Sequence, residues 1–166
     1  MFCHFTEEIT IVQEELIKCG VLPSKIQRIE GHVSSEDRNT RIKTFKEETP
    51  EEGNAVLIMQ IVTGSLGLNI QEATRIYILS PSWNPSTELQ AIGRAHRTGQ
   101  TKKVYIKRLI YENPSESINS IDLALLNLQN RKAKLSSEIL DDKRIETMLP
   151  NEMNNCEYLT LGNIFK

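Results

Sequence analysis

The sequence predicts an α/β fold in which a parallel sheet is flanked by helices and followed by a C-terminal helical extension. Short apolar runs, typical of strands buried on both faces, alternate along the chain with segments whose apolar residues recur at helical spacing. Such alternation favours βαβ units with right-handed crossovers, and therefore parallel strands. Hydrophobic residues make up 39% of the 166 residues, which can fill the core of one domain.

The first half of the chain supplies three of the expected strands and two helices. Apolar residues at steps of three and four mark the first helix, and Gly20 favours its end. Ser34 and Asp37 stand in a capping-box relation at the start of the second helix. The predicted strands are residues 2–6, 26–29 and 55–62, the predicted helices are residues 7–20 and 34–46, and a loop is expected at residues 50–54.

The second half predicts two more strands, at residues 75–79 and 104–110, and a change of character after Pro114. A long amphipathic helix is expected from residue 117 to residue 135, with a weaker one at residues 139–149. We therefore expect one domain over residues 1–113 and a helical extension and tail over residues 114–166.

A short helix carrying two arginines is expected next to the strand at residues 75–79. Asn84 is a favoured N-cap and Pro85 suits the first helical turn, while Gly99 favours the end. On a helix running between them, the side chains of Gln90, Arg94 and Arg97 share one face. Guanidinium groups match phosphate oxygens in a bidentate manner. The alternative is an ordinary solvated face, which is commoner for two arginines taken alone.

The segment that follows the strand at residues 55–62 is a turn of small residues, Thr63 to Ile70. Gly64 and Gly67 permit positive φ and the close approach of a ligand, and exposed N–H groups in such turns form anion sites. The alternative is a plain turn between two elements. Because ligands of parallel sheets bind at the carboxyl ends of strands, we expect this turn and the arginine helix to lie together at that edge.

Trp83, the single tryptophan, lies between two prolines in a corner next to this expected site. Its indole either anchors the corner in the core or stacks against nucleic acid. The three histidines have no partners at metal-ligand or catalytic-triad spacing, so no metal site is expected.

Charge, cysteine content and hydropathy restrict the possible binding partners and the cellular compartment. The net charge is −2, yet no acidic residue lies between Glu88 and Glu112, where basic residues are frequent. The three cysteines form no CxxC pair, which favours reduced thiols inside a cell over a zinc or disulfide framework. No apolar run approaches a membrane span, so no membrane partner is expected.

Two motifs of phosphoryl transfer are absent from the sequence. It contains no GxxxxGK[ST] phosphate loop and no acidic box after an apolar strand to hold magnesium. Arginines directed at phosphate without these partners make half of a phosphoryl-transfer site.

Residues 56–110 resemble motifs V and VI of the Swi/Snf-type DNA-dependent ATPases of helicase superfamily two. The resemblance is carried by Gly67-Leu-Asn69, Trp83-Asn-Pro85, Gln90, the arginines at 94 and 97, and Gly99-Gln100. It implies that residues 1–113 are the second RecA-like helicase lobe, or helicase C-terminal domain, and that the extension resembles the brace region of the family.

The resemblance also implies a function and its residues. ATP would bind between two lobes, with Mg²⁺ and the phosphate loop on the first lobe, and hydrolysis would drive translocation along duplex DNA. By position, the residues near ATP would be Gly67, Asn69 and the arginine fingers Arg94 and Arg97, with Gln90 ordering the helix, and the residues contacting DNA would be Thr63, Gly64 and Trp83.

Several positions depart from the family pattern. Ser80 stands where Asp is usual, Gln60 where Ser or Thr is usual, Thr63 where a small residue is usual, and Ser65 where Gly is frequent. The first lobe is expected either in the same longer chain or as a separate chain, and without it we expect no ATPase activity.

Two other functions remain open at this point. One is a non-catalytic module that binds DNA or protein and derives from such a lobe. The other is an RNA helicase lobe, which the resemblance of the Trp83-Asn-Pro85 corner and the Gly99-Gln100 ending to the DNA-translocating branch disfavours. The expected location is intracellular: the nucleus in a eukaryotic cell, and otherwise a viral factory or the cytoplasm.

Overall fold

The computed structural model describes residues 1–52, 55–63, 67–111 and 120–140. The strands are β1 (Phe2–Cys3), β2 (Ile26–Ile29), β3 (Val56–Gln60), β4 (Arg75–Ile78) and β5 (Tyr105–Arg108). The helices are α1 (Thr6–Lys18), α2 (Ser35–Glu52), α3 (Pro85–Ile92) and α4 (Ile121–Leu140), with a 3-10 turn at Pro23–Lys25.

The five strands form one parallel sheet in the order β2-β3-β1-β4-β5. The chain steps one way along the sheet from β1 to β2, and the other way from β2 to β3 and from β4 to β5. Right-handed connections therefore place α1 on one face and α2 and α3 on the other. This confirms the predicted α/β class, with helices on both faces of a parallel sheet.

Each face of the sheet has its own apolar cluster. On one face, the buried side chains of α1 pack against Cys3, Ile26 and Ile58. On the other face, Ile42 and Phe45 of α2 and Ala91 of α3 belong to a larger cluster with the alternate residues of the strands. Residues pointing to opposite sides along one strand, such as Ile58 and Met59, thus enter different clusters.

Local capping signals agree with the observed helix starts. The Ser34 hydroxyl accepts a hydrogen bond from the Asp37 amide at 3.1 Å and donates one to the Asp37 carboxylate at 2.9 Å, ahead of α2. Strand β2 has the predicted limits. The predicted loop at residues 50–54 is wrong for residues 50–52, which continue α2. A proline removes one intrahelical hydrogen bond, and here only two residues of the helix follow it.

Within the helical extension the structure describes α4, which ends at Leu140, five residues after the predicted end at residue 135. The proposed domain boundary at residues 113 and 114, most of the weaker helix at residues 139–149 and the tail at residues 151–166 lie outside the described residues. Among the described helices, none has the length and apolar character needed to cross a membrane.

Candidate functional site

Helix α3 begins as its sequence predicts. The Asn84 side chain accepts a hydrogen bond from the Ser86 amide at 3.1 Å, and Pro85 occupies the first turn. The helix then runs back along the sheet from the carboxyl end of β4.

The end of α3 differs from the prediction, because the helix stops at Ile92 and Arg94 and Arg97 lie beyond it. The Arg94 amide bonds to the Ala91 carbonyl at 3.2 Å, and the Ala95 amide bonds to the Ile92 carbonyl at 3.1 Å, so the last turn tightens to three-residue spacing. Ala95 is fully buried in the core, which directs the chain inward at that point. Gln90 and the two arginines therefore do not share one helical face, and residues 93–100 form a turn that we call the arginine loop.

The arginine loop lies at the amino edge of the sheet, and the expectation that it lies at the carboxyl edge is wrong. A crossover helix runs antiparallel to its strands, so a segment after it and before β5 returns to the edge where strands begin. One hydrogen bond of the loop and one at the start of β5, the strand that follows it, agree with this position. The Arg94 carbonyl accepts from the Ile70 amide at 3.1 Å, and the Thr74 carbonyl, next to the start of β4, accepts from the Tyr105 amide at 2.8 Å.

The described ends of the predicted turn at residues 63–70 lie at different edges of the sheet. The chain leaves the carboxyl end of β3 at Gln60 and reaches the amino end of β4 at Arg75. Thr63 lies near the first point, where its side chain is buried and its hydroxyl donates to the Gln60 carbonyl at 2.6 Å. Its hydroxyl is thus turned inward. Gly64 lies outside the described residues.

A network of amide side chains joins the end of this turn to the arginine loop. The Gln71 side chain donates to the Thr98 carbonyl at 2.7 Å, and the Gln100 side chain donates to the Gln71 carbonyl at 2.5 Å. Asn69 supports the turn by accepting from the Gln71 amide at 3.2 Å and donating to its side chain at 3.3 Å. Gly67 has φ +76, a left-handed conformation that glycine adopts without strain.

Gln71 and Gln100 were not predicted to hold the site together. Their partners are main-chain carbonyls 27 and 29 residues away, and no local spacing reveals such contacts. The one sequence signal is the amide content of the two segments, with amides at positions 69, 71, 90 and 100.

The guanidinium groups differ in exposure within the loop. Arg94 is half-buried and engaged by neighbouring groups, whereas Arg97 is exposed, as is Gln90 on α3. The arrangement presents cationic donors on a loop that is held to the 67–71 segment by hydrogen bonds. Such donors can bind phosphate oxygens.

Trp83 occupies the opposite, carboxyl edge, just after β4. Its side chain is 66% exposed, so it is not an anchor of the core. The Lys132 ammonium of α4 lies 5.1 Å from the centre of the indole and donates to the Trp83 carbonyl at 3.2 Å.

A buried polar cluster packs against the Trp83 corner, which we define as residues 80–85. The Glu88 carboxylate, fully buried, accepts from Arg108 Nε at 2.6 Å, from the Ser82 amide at 2.7 Å and from Gln129 at 2.7 Å. The Gln129 side chain also donates to the Ser82 carbonyl. These contacts tie α3, α4 and the end of β5 to the loop that carries Trp83.

Two of the departures from the family pattern have partners of their own at the carboxyl edge. The Ser80 hydroxyl bonds to the Glu8 carboxylate at 3.3 Å. Gln60 accepts from the Gly31 amide at 2.9 Å and donates to the Thr6 hydroxyl at 3.3 Å, so it joins the ends of β2 and β3 to the start of α1.

His4 has a structural partner, since its Nε2 lies 3.1 Å from the Ser82 hydroxyl. Over residues 1–52, 55–63, 67–111 and 120–140, no three His, Cys, Asp or Glu side chains are grouped so that they could hold a metal ion.

Comparisons with known proteins agree with this fold. Residues 1–99 match the family described as the helicase conserved C-terminal domain. DNA repair protein RAD5 of Candida albicans is 32% identical over 139 residues, which cover 84% of this chain and 12% of that protein. Transcriptional regulator ATRX of Homo sapiens is 33% identical over 119 residues, which cover 72% of this chain and 4% of that protein.

Two solved structures share the architecture. The C-terminal part of the Fun30 ATPase domain superposes with a TM-score of 0.64 at 31% identity, covering 89% of this chain and 45% of that one. The Sulfolobus solfataricus SWI2/SNF2 ATPase core domain, at 22% identity and a TM-score of 0.57, covers 84% of this chain and 26% of that one and supports the fold alone. The chain spans about an eighth or less of the curated relatives' length. A parallel sheet of this order and the match over residues 1–99 together show that the chain belongs to the helicase conserved C-terminal domain family and has its RecA-like fold.

Proposed function

We propose that this chain acts as the second lobe of a DNA-dependent ATPase that translocates on duplex DNA, and that it hydrolyses no ATP without a first lobe carrying the phosphate loop. One observation carries the proposal. The arginine loop and the Trp83 corner lie at opposite edges of one sheet, and α3 runs from one edge to the other. A rigid element between two sites can couple events at one to the other.

The nucleotide half of the proposal rests on the amino edge. Arg94 and Arg97 would reach the phosphates of ATP held by the first lobe, and Gly67, Asn69 and Gln90 would lie beside it. The donor set fits a phosphate group, because guanidinium and exposed amide groups are cationic or neutral donors without a competing carboxylate in the loop. Mg²⁺, when bound, neutralises charge on the phosphates, and its ligands would come from the first lobe.

The DNA half of the proposal rests on the carboxyl edge. Trp83 offers an exposed ring for contact with a sugar or base, and main-chain N–H groups near Thr63 and Gly64 would contact phosphate. The Thr63 hydroxyl is engaged internally, so its part would be played by the main chain.

The test is DNA-stimulated ATP hydrolysis after mixing the chain with the first lobe of a related Swi2/Snf2-type ATPase. At saturating DNA, Arg94→Ala and Arg97→Ala are each expected to lower the rate by ~10³–10⁵, the range known for arginine fingers. That loss equals roughly 4–7 kcal/mol of barrier.

The matched control is Arg131→Ala, which removes an exposed arginine of α4 far along the chain from the loop. It is expected to keep the parental rate at saturating DNA. Parental rates in both loop variants would mean that the two arginines have no part in hydrolysis.

Two alternatives remain for the same residues. A non-catalytic module would bind DNA or a protein without any rescue of hydrolysis by a first lobe. An RNA helicase lobe would be stimulated by RNA more than by duplex DNA. The proposed location is intracellular, and nuclear in a eukaryotic cell.

A further inference from the structure

The contact between α4 and the Trp83 corner carries an inference about the DNA surface. Lys132 and Gln129 are three residues apart on α4 and therefore lie on one side of the helix. Gln129 holds the Ser82 carbonyl, and Lys132 holds the carbonyl of Trp83. One side of α4 thus donates hydrogen bonds to the carbonyls of two successive residues of the corner.

The Lys132 ammonium also covers the indole. Its Nζ lies 5.1 Å from the ring centre, which is within the range of a cation–π contact. An exposed ring that is 66% accessible can turn freely unless something holds it, and the ammonium on its face favours one orientation.

The ammonium retains capacity for an anion. Of its three N–H donors, one is directed at the Trp83 carbonyl, at 3.2 Å. A lysine ammonium binds phosphate as a point charge. The pair therefore presents an aromatic ring and a positive charge side by side at the carboxyl edge of the sheet.

We propose that Lys132 and Trp83 form one composite contact for the DNA backbone, in which Lys132 binds a phosphate and holds the indole ready to pack against the adjoining sugar. This inference rests on the proposed function and adds α4 to its DNA surface. Lys132 is accordingly both a binding residue and the positioning residue for Trp83.

The first test is binding of a short fluorescein-labelled duplex DNA to the chain at several salt concentrations. Loss of one phosphate contact makes the slope of log affinity against log salt less steep by about 0.9. That change is expected in Lys132→Gln, while Lys132→Arg retains most of the parental slope because it keeps the charge. Lys134→Ala is the matched control, since this exposed lysine lies two residues further along α4, on another side of the helix.

The second test needs no DNA and uses the fluorescence of Trp83, the single tryptophan. An ammonium beside the ring attracts iodide, so Lys132→Gln is expected to lower iodide quenching relative to quenching by neutral acrylamide. Lys132→Arg and Lys134→Ala are expected to keep the parental ratio. Thermal unfolding of each variant shows whether it is folded when measured.

The outcomes separate this inference from the proposed function. Suppose that the parent binds DNA, that Trp83→Ala weakens binding and that Lys132→Gln keeps the parental slope. The composite contact is then wrong, whereas the assignment of the carboxyl edge to DNA is retained. An unchanged iodide ratio in Lys132→Gln would also overturn it. If the parent chain binds no duplex DNA, both the inference and the DNA half of the proposed function fail.

Discussion

Burial gives the two described cysteines opposite reactivity. Cys3 is fully buried, and burial raises the pKa of its thiol from 9.0 to about 12, whereas Cys19 is exposed. Because the thiolate is the reactive form, a maleimide near neutral pH is expected to label Cys19 rapidly and Cys3 only as the protein unfolds. Mass spectrometry of the Cys156→Ser variant measures this, with the denatured protein as the control in which both thiols react.

The same burial has a consequence for stability at high pH. With the folded pKa raised above 9.0, the unfolded chain releases the Cys3 proton first as the pH rises. The contribution of Cys3 to the free energy of unfolding is therefore constant below pH 9.0 and decreases above it. Cys3→Ala is expected to show a weaker loss of stability over that range. Equal pH dependence in parent and variant would contradict the assignment.

At the scale of an element, the arginine loop is held in place by the side chain of its last residue, Gln100. Gln100 donates to the carbonyls of Gln71 and Ala95 and accepts from the Lys102 amide. Gln100→Ala removes these bonds and is expected to cost about 1–3 kcal/mol in stability, since it leaves part-buried carbonyls unpaired. It is also expected to lower ATP hydrolysis with a first lobe, because the arginines lose their fixed position.

Urea unfolding and the hydrolysis assay measure the two effects of Gln100→Ala. The control is Gln27→Ala, which removes a single exposed hydrogen bond to the Ser24 carbonyl. It is expected to change neither measurement appreciably. A Gln100 variant with parental hydrolysis would show that the loop keeps its geometry without the amide network.

Helix α4 depends on the buried carboxylate of Glu88. Removing one partner of a buried ion pair leaves an uncompensated charge, here Arg108, whose side chain is 11% exposed. Glu88→Ala is therefore expected to destabilise the protein by about 3–5 kcal/mol. Hydrogen exchange is expected to quicken in α4, since Gln129 loses one of its two partners and keeps only the Ser82 carbonyl.

The control for Glu88 is a pair at the surface. Glu47 is 65% exposed and lies 3.7 Å from Lys43, and an exposed pair contributes about 0–1 kcal/mol. Glu47→Ala is thus expected to leave exchange in α4 unchanged. If Glu88→Ala changed stability no more than Glu47→Ala does, the buried cluster would have no part in holding α4.

At the scale of the whole molecule, the sequence predicted what depends on neighbours along the chain. Asn84 as a cap, Ser34 as a cap and β2 as a strand follow from a few adjacent residues, and all three are confirmed. The class of fold follows from the alternation of such elements. These features need no knowledge of which distant segments meet.

Features that depend on distant contacts were mispredicted or missed. The sequence predicts that α3 continues through Arg97, because no local pattern reveals that Ala95 is buried in the core. The tendency of ligands to bind at the carboxyl ends of strands predicts the wrong edge for the arginine loop, because a crossover helix returns the chain to the amino edge. The Gln100 contact with Gln71 joins segments 29 residues apart, beyond the reach of spacing rules.

Because the two edges are separate, we expect them to control different kinetic parameters of hydrolysis. Arg94 belongs to the amino edge and Trp83 to the carboxyl edge, with α3 between them. A variant at the carboxyl edge should therefore alter mainly the DNA concentration needed for stimulation, and a variant at the amino edge should alter mainly the rate at saturating DNA. In the hydrolysis assay with a first lobe, Trp83→Ala is expected to raise the DNA concentration that gives half-maximal stimulation. Arg94→Ala is expected to lower the rate at saturating DNA by ~10³–10⁵ with that concentration little changed.

The double variant distinguishes separate edges from a single site. If the two sites act independently, the effects on barrier and on DNA affinity add, as they do for distant residues. If Trp83→Ala alone lowered the rate at saturating DNA as far as Arg94→Ala does, the ring would act in the chemical step. The assignment of the carboxyl edge to DNA would then be wrong, because contact with DNA alone is restored by raising the DNA concentration.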